Sequence, residues 1–212
     1  MEKPVLIIGA GIIGKSAFEV FNSNENLVYG FLDDNTKLHG ELIGETSIFS
    51  DTNDDNYLRI IGKDCEVFIA EDNNTVKKNL LKTILNKYKT MPVNAIHKNS
   101  YLSASTVMGH GNLINAGVST DYEVNIGNHC ILLGNTLVGT SSKIGDFVQI
   151  GAGSSIGSEV VIEDDVFIGA GVTIVSGVTI HKNARIGAGS VIVSNVEKNA
   201  TMFGNPAQKI EK

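Results

Sequence analysis

The stretch Ile144-Gly-Asp-Phe-Val-Gln-Ile150-Gly-Ala-Gly-Ser-Ser-Ile156-Gly-Ser-Glu-Val-Val-Ile162-Glu-Asp-Asp-Val-Phe-Ile168 sets an isoleucine at every sixth residue. The same step runs back through Val138, Leu132, Ile126, Thr120, Ile114, Met108 and Leu102 to Ile96. It runs forward through Ile174, Ile180 and Ile186 to Ile192, and in the whole column only Thr120 is not aliphatic. A second column lies two residues earlier, from Asn94 to Ser190, and holds only small or β-branched side chains. Side chains two apart share one face of a strand, whereas a step of six does not stay on one face of a helix. The small column fits a sharp corner, where a large side chain has no room. Glycine often follows the large column, at 127, 139, 145, 151, 157, 169 and 187. There the chain either turns with positive φ or admits a close neighbour to the backbone. Short strands stacked coil upon coil are the predicted architecture, each coil touching its neighbours.

The first ninety or so residues read differently. Val5-Leu6-Ile7-Ile8 is a predicted buried strand, followed by Gly9-Ala10-Gly11-Ile12-Ile13-Gly14 and a predicted helix over Lys15 to Phe21. A Gly-x-Gly-x-x-Gly turn between strand and helix presents bare N–H groups and a helix N-terminus to a phosphate. A second strand, Leu27 to Leu32, ends at Asp33-Asp34, where an acid commonly meets a ribose hydroxyl. Glu66 to Ala70 makes a third strand, and Val76, Leu80, Ile84 and Tyr88 form the stripe of a second helix. Two other readings of the glycines stand beside this one. Gly9-x4-Gly14-Lys15-Ser16 also fits a P-loop, and the turn can serve strand-helix packing alone. The fold class expected is therefore α/β plus all-β, with a Rossmann-like domain at 1–92 and the solenoid at 93–212.

The chain has 212 residues, 17 Lys+Arg against 23 Asp+Glu and a net charge of -6. No concentrated positive field is available to attract nucleic acid or an anionic membrane. The two cysteines, Cys65 and Cys130, form no Cys-x-x-Cys and fit a reducing compartment. The early apolar run is too short for a signal peptide or a membrane span. A cytoplasmic protein without a metal site is the expectation.

The hexapeptide columns resemble those of the hexapeptide-repeat acyltransferases, whose left-handed parallel β-helix has three hexapeptides per coil. At about eighteen residues per coil, the span from Ile96 to Ile192 would hold roughly five. With the glycine turn, the Asp-Asp strand end and Phe203-Gly204-Asn205-Pro206-Ala207, the chain is similar to the sialic-acid O-acetyltransferase/UDP-4-amino-sugar N-acetyltransferase family. The resemblance implies a homotrimer that takes acetyl-CoA and a nucleotide-linked, UDP-type amino sugar in bacterial glycan synthesis. It implies nucleotide-sugar contacts at Gly9, Gly11, Gly14, Asp33 and Asp34. It implies backbone contacts to the CoA arm at Gly151, Gly153, Gly169, Ala170 and Gly187. A leucine at Gly169 would then enter the CoA groove.

The sequence departs from that family in two places. The family sets a His-acid pair just before Ile-Gly-Asp/Glu-Phe as general base and its orienter. Ile144-Gly145-Asp146-Phe147 is present, but Thr140 and Ser141 occupy the two positions. A hydroxyl of ordinary pKa needs activation to act as base. The family's usual histidine before the last glycine of the loop is Ile13. Of His39, His97, His110, His129 and His181, each of which also reads as an exposed solenoid histidine, the candidate substitute base is His129, one coil from His110 in an adjacent column. An alternative outcome is a nucleotide-sugar-binding or assembly subunit without catalysis; others are another acyl donor or a hydroxyl acceptor. A nicotinamide oxidoreductase would share the first thirty-five residues but lacks a catalytic domain here. A γ-class carbonic anhydrase would need three zinc histidines that His110, His129 and His181 do not obviously supply.

Overall fold

The computed structural model describes residues 3–210. Two compact units divide the chain between Lys98 and Asn99.

In the first unit, β1 (Val5–Ile8) is buried at all four residues and is followed by α1 (Ile12–Ser23) and β2 (Val28–Leu32). Next come β3 (Leu42–Ile43), β4 (Thr46–Ser50), the single turn α2 (Asp55–Leu58), β5 (Glu66–Ile69) and α3 (Asn74–Tyr88). The sheet order is β3-β4-β2-β1-β5. β1 pairs in parallel with both β2 and β5, β2 pairs in parallel with β4, and only β3 runs antiparallel. An apolar strand with parallel partners on both sides suits the central position. The predicted first helix is longer than its apolar pattern implied, beginning directly after Gly11. α3 is started by Asn73, whose side chain accepts from the N–H groups of Thr75 and Val76. Phe21 meets Phe68 edge-on at 5.7 Å, and Leu6, Ile8, Leu32, Val67, Ile69 and Ile84 share one buried cluster.

The segment from β3 to α2 carries no long periodic pattern by which the sequence would announce it. Its aromatic packing explains it. Gly30 in β2 leaves the space that Phe49 fills, a Cβ there standing 1.9 Å from the Phe49 ring. Phe49 in turn stacks on Tyr57 with centroids 4.6 Å apart.

The second unit is a three-sided solenoid of two-residue strands. Ser119 stands opposite Leu137, and Leu137 opposite Ser155, a step of eighteen residues with every such pair parallel. The aliphatic column points inward: Ile150, Ile156, Ile162, Ile168 and Ile174 are at most 1% exposed. From Gly111 to Gly189 every sixth residue, one to a corner, takes a left-handed conformation. Examples are Ser141 (φ 56°), Phe147 (φ 58°), Gly153 (φ 69°), Glu159 (φ 58°) and Asp165 (φ 60°). None of these is β-branched, in keeping with the steric cost of that region.

The small inner column has a polar role besides its size. Ser142 Oγ donates to Gly157 O (2.8 Å) and accepts from Val160 N (3.1 Å). Asn112 Oδ1 accepts from Cys130 N at 2.7 Å. Where the strand ladder breaks at a corner, these short side chains pair backbone groups that burial would otherwise orphan.

The glycines after the aliphatic column answer the second of the two possibilities raised above. They are not the left-handed residues; their missing Cβ faces the next coil. A Cβ on Gly151 would lie 2.4 Å from Ala170 N, and one on Gly145 would lie 2.8 Å from Asp164 N. The last coil is tightened: Arg185 pairs with Thr201 and Ile180 bridges Val196, each a step of sixteen. A hairpin of Thr201–Gly204 with Ala207–Lys209 closes that end.

Two substitutions separate these glycine classes. Gly151→Ala should destabilise the protein by about 1–3 kcal/mol through overpacking. Gly153→Asn, at a left-handed corner with nothing within 4 Å, should stay within about 0.5 kcal/mol of wild type. Urea unfolding of both variants checks the contrast.

Candidate functional site

In the first unit the glycine turn lies at the C-terminal ends of β1 and β2, where parallel sheets bind ligands. Gly9 takes φ +106°, and a Cβ there would stand 2.5 Å from Ala70 O. A Cβ on Gly14 would stand 2.1 Å from Gly9 O, so this glycine lets α1 close onto the loop. Gly11 differs: it caps α1 with open space around it. Two of the three glycines are thus demanded by packing, and Gly11 alone leaves room for a ligand.

The aspartates expected to meet a ribose are engaged by the protein. Asp33 Oδ2 accepts from Ala10 N (2.7 Å) and its Oδ1 from Asn35 N (2.8 Å). Asp34 Oδ1 accepts from Thr52 N (2.9 Å) and from Thr52 Oγ1 (2.8 Å). Asp33 therefore pins the glycine turn to the end of β2, and Asp34 ties that end to the chain after β4. Beside them opens a cleft of about 490 Å³, lined by Ala10, Gly11, Ile12, Lys15, Lys37 and Leu42 among others. Lys15 and Lys37 line it with one carboxylate, Glu41, beside a helix start whose first turn carries no acid, a net positive arrangement suited to an anion. Ile12 is 86% exposed there and offers an apolar surface.

In the second unit, Thr140 and Ser141 stand at one corner. Ser141 is the left-handed residue, its N–H donating to Tyr122 O at 2.9 Å. Thr140 O accepts from Glu159 N at 2.8 Å. Among the described residues no histidine or carboxylate is hydrogen-bonded to either hydroxyl.

His129 does not suit the part of substitute base. It is 3% exposed and occupies a left-handed corner, φ 59°. Its ring packs where a Cβ on Gly111 would stand and stacks on Phe147 at 5.0 Å. Corner residues eighteen apart fill one another's space, and this imidazole is part of that filling. Its backbone does meet His110, donating from His129 N to His110 O at 2.7 Å.

The CoA-arm residues fall into distinct environments. Gly151 and Gly169 face the next coil, a Cβ on Gly169 lying 2.6 Å from Ala188 N. A leucine at Gly169 would therefore strike the stack itself, not an open groove. Gly187 is covered by Phe203, whose ring lies 2.3 Å from its would-be Cβ. Gly153 and Ala170 are exposed at their corner.

A His-acid pair does exist, at residues the sequence reading passed over. His181 Nδ1 lies 2.9 Å from Glu163 Oε1, and Glu163 Oε2 accepts from Lys182 N at 2.8 Å. Lys182 Nζ reaches Asp164 Oδ2 at 3.2 Å. The Lys182 backbone N–H, and then His181, hold the Glu163 carboxyl below its ordinary range. The signal was available: 163 and 181 differ by one coil, the same spacing logic that linked His110 with His129. Among the described residues no group of three His, Cys, Asp or Glu side chains converges as a metal site would require, and no helix is long and apolar enough to cross a membrane.

An α/β unit with a glycine turn, followed by a three-sided β-helix, defines a two-part hexapeptide-repeat protein. Residues 4–84 match the PglD N-terminal domain and residues 159–194 match the bacterial transferase hexapeptide (six repeats). The chain thus joins a PglD-type N-terminal domain to transferase hexapeptide repeats, and its solenoid is a left-handed parallel β-helix. The match over 4–84 takes the glycine turn away from the P-loop reading. No curated protein matches in sequence. Among solved structures, PerB from Caulobacter crescentus, in complex with CoA and GDP-perosamine, is 23% identical with a TM-score of 0.88, covering 100% of this chain and 99% of that one. The acetyltransferase domain of PglB from Neisseria gonorrhoeae, in complex with acetyl coenzyme A, is 23% identical at TM-score 0.89, covering 99% and 100%. WeeI from Acinetobacter baumannii is 23% identical at 0.86, with the same coverage. At this identity the likeness speaks to the fold.

Two outcomes follow from the geometry. Asp33→Ala orphans Ala10 N and Asn35 N and should lower stability by about 1–3 kcal/mol, with faster amide exchange in the glycine turn. Because the Glu163 carboxyl is depressed when folded, its stabilising contribution is complete above its ordinary 4.5. That contribution is lost as pH falls through the folded value. NMR titration should find Glu163 titrating below 4.5, and closer to it in His181→Ala.

Proposed function

We propose that the chain is an acetyl-CoA-dependent acetyltransferase acting on the amine of a nucleotide-linked amino sugar. The observation that carries this is the cleft in the PglD-type unit, where Lys15, Lys37 and the start of α1 outweigh the single carboxylate of Glu41 and suit a diphosphate. It is joined in one chain to transferase hexapeptide repeats. Structures of the same two-part fold have been solved with CoA and GDP-perosamine and with acetyl coenzyme A. AntD from Bacillus cereus, an N-acyltransferase whose likeness covers 56% of this chain, was solved with dTDP and CoA. The nucleotide assigned here is UDP, the active assembly a homotrimer and the compartment the cytoplasm. In the cleft, Gly11 and the two lysines take the diphosphate while Ile12 lies against an apolar part of the ligand. Gly9, Gly14, Asp33 and Asp34 shape the turn rather than touch the ligand. In the solenoid, the exposed Gly153 and Ala170 offer backbone to the CoA arm.

The second reading, a nucleotide-sugar-binding subunit without catalysis, draws on the hydroxyls of Thr140 and Ser141, to which no histidine or carboxylate is hydrogen-bonded among the described residues. Thiol release from acetyl-CoA, followed with UDP-, GDP- and dTDP-linked 4-amino sugars, separates the two. Release with at least one acceptor supports the transferase. Tight nucleotide-sugar binding with no thiol release supports the binding subunit.

Lys15→Ala and Lys37→Ala should each raise KM for the nucleotide sugar about fivefold to tenfold, the worth of one charge-assisted hydrogen bond. kcat should hold within about twofold, since uniform binding is what these groups supply.

A further inference from the structure

The proposed reaction needs a proton acceptor, and the Thr140/Ser141 corner holds none. We infer that His181, oriented by Glu163, is that acceptor; the inference rests on the transferase reading above. The carboxylate of Glu163 is fixed through both oxygens, one on Lys182 N at 2.8 Å and the other on His181 Nδ1 at 2.9 Å. Nδ1–H donates to the carboxylate, which leaves the lone pair on Nε2. The His181 side chain is 44% exposed, so a substrate amine can reach it. Its backbone is held by His181 N donating to Val196 O at 3.0 Å, and Asn183 N donates to Asp164 O at 3.1 Å beside it. Base and orienter thus sit on adjacent coils of a close-packed stack, the preorganisation that acid-base catalysis requires. His129 is buried, and the His39 ring is held at 2.7 Å by Asp33 O in the first unit. Seven residues beyond Glu163 is the exposed Ala170, which the proposed function gives to the CoA arm, at the next corner of the same coil. On the side between those corners the Arg185 guanidinium lies 4.6 Å over the Phe167 ring. That supplies a cation for the phosphates of a CoA-type donor within one side of the base. In the step itself the amine nitrogen attacks the thioester carbonyl carbon, forming C–N. The nitrogen passes its proton to Nε2, C–S breaks, and His181 returns the proton to the departing thiolate.

The test is steady-state thiol release by the full chain, using acetyl-CoA and whichever nucleotide 4-amino sugar the wild type accepts. His181→Ala should lower kcat by about 10²–10⁴-fold, with KM for acetyl-CoA within about twofold and partial recovery on adding imidazole. Glu163→Gln should lower kcat less and show no imidazole recovery. His181→Gln, closer in shape, repeats the measurement if the alanine variant unfolds early. Wild-type kcat in His181→Ala or His181→Gln would overturn the assignment, and so would a loss that imidazole does not relieve. If the wild type releases no thiol with any acceptor, the transferase reading itself fails and the base falls with it. A working wild type with a working His181→Ala removes only the base.

Discussion

The coils of the C-terminal unit are stacked by a backbone ladder, in which the N–H after an inward aliphatic residue donates to the carbonyl of the aliphatic residue one coil on. Gly145 N to Ile162 O at 2.7 Å and Gly151 N to Ile168 O at 2.8 Å are typical. The ladder brings backbone against backbone so closely that no Cβ fits at Gly151 or Gly169. It forces the chain to turn at each corner through a left-handed residue, and it forces short polar side chains inside the corner. Glycine, the left-handed corner and the inner Ser142 or Asn112 are three consequences of a single spacing.

That spacing also governs chemistry. Residues eighteen apart stand one above another, so a side chain on one coil finds its partner on the next. His129 over Phe147 is such a stack in apolar form, and Glu163 with His181 is the same relation in polar form. The two histidines differ in exposure and in an acid neighbour: His129 is 3% exposed, and the half-exposed His181 meets Glu163. In the N-terminal unit the governing contact is Asp33 with Ala10 N, which locks the glycine turn across the ends of β1 and β2. With that carboxylate holding backbone, Gly11 is the one glycine of the turn with open space around it.

The solenoid was legible because its period is enforced at every sixth residue over about a hundred residues, each violation exposing an aliphatic side chain or burying a clash. The N-terminal strand, turn and helix were legible for a similar reason, the glycines and apolar runs being local. β3, β4 and α2 were not, because they are short and are held by Phe49 packing into the space at Gly30, a contact between segments. The candidate site was legible in part. The sequence placed the glycine turn, the acids and the Thr140-Ser141 departure, yet it could not say which glycines are packed and which are open.

The sequence alone determined a solenoid of short stacked strands, since period six in aliphatic residues and period two in facing side chains admit no helix, while three sides to a coil was what the resemblance implied and the eighteen-residue pairing step showed. It also determined the strand-turn-helix at the start and the lack of a histidine at 140. Only the tertiary structure decided that Asp33 clamps backbone, that Gly187 lies under Phe203, that His129 is buried and that His181 is paired with Glu163. These depend on which atoms meet across coils and strands, and a linear pattern specifies the facing column without specifying what fills it.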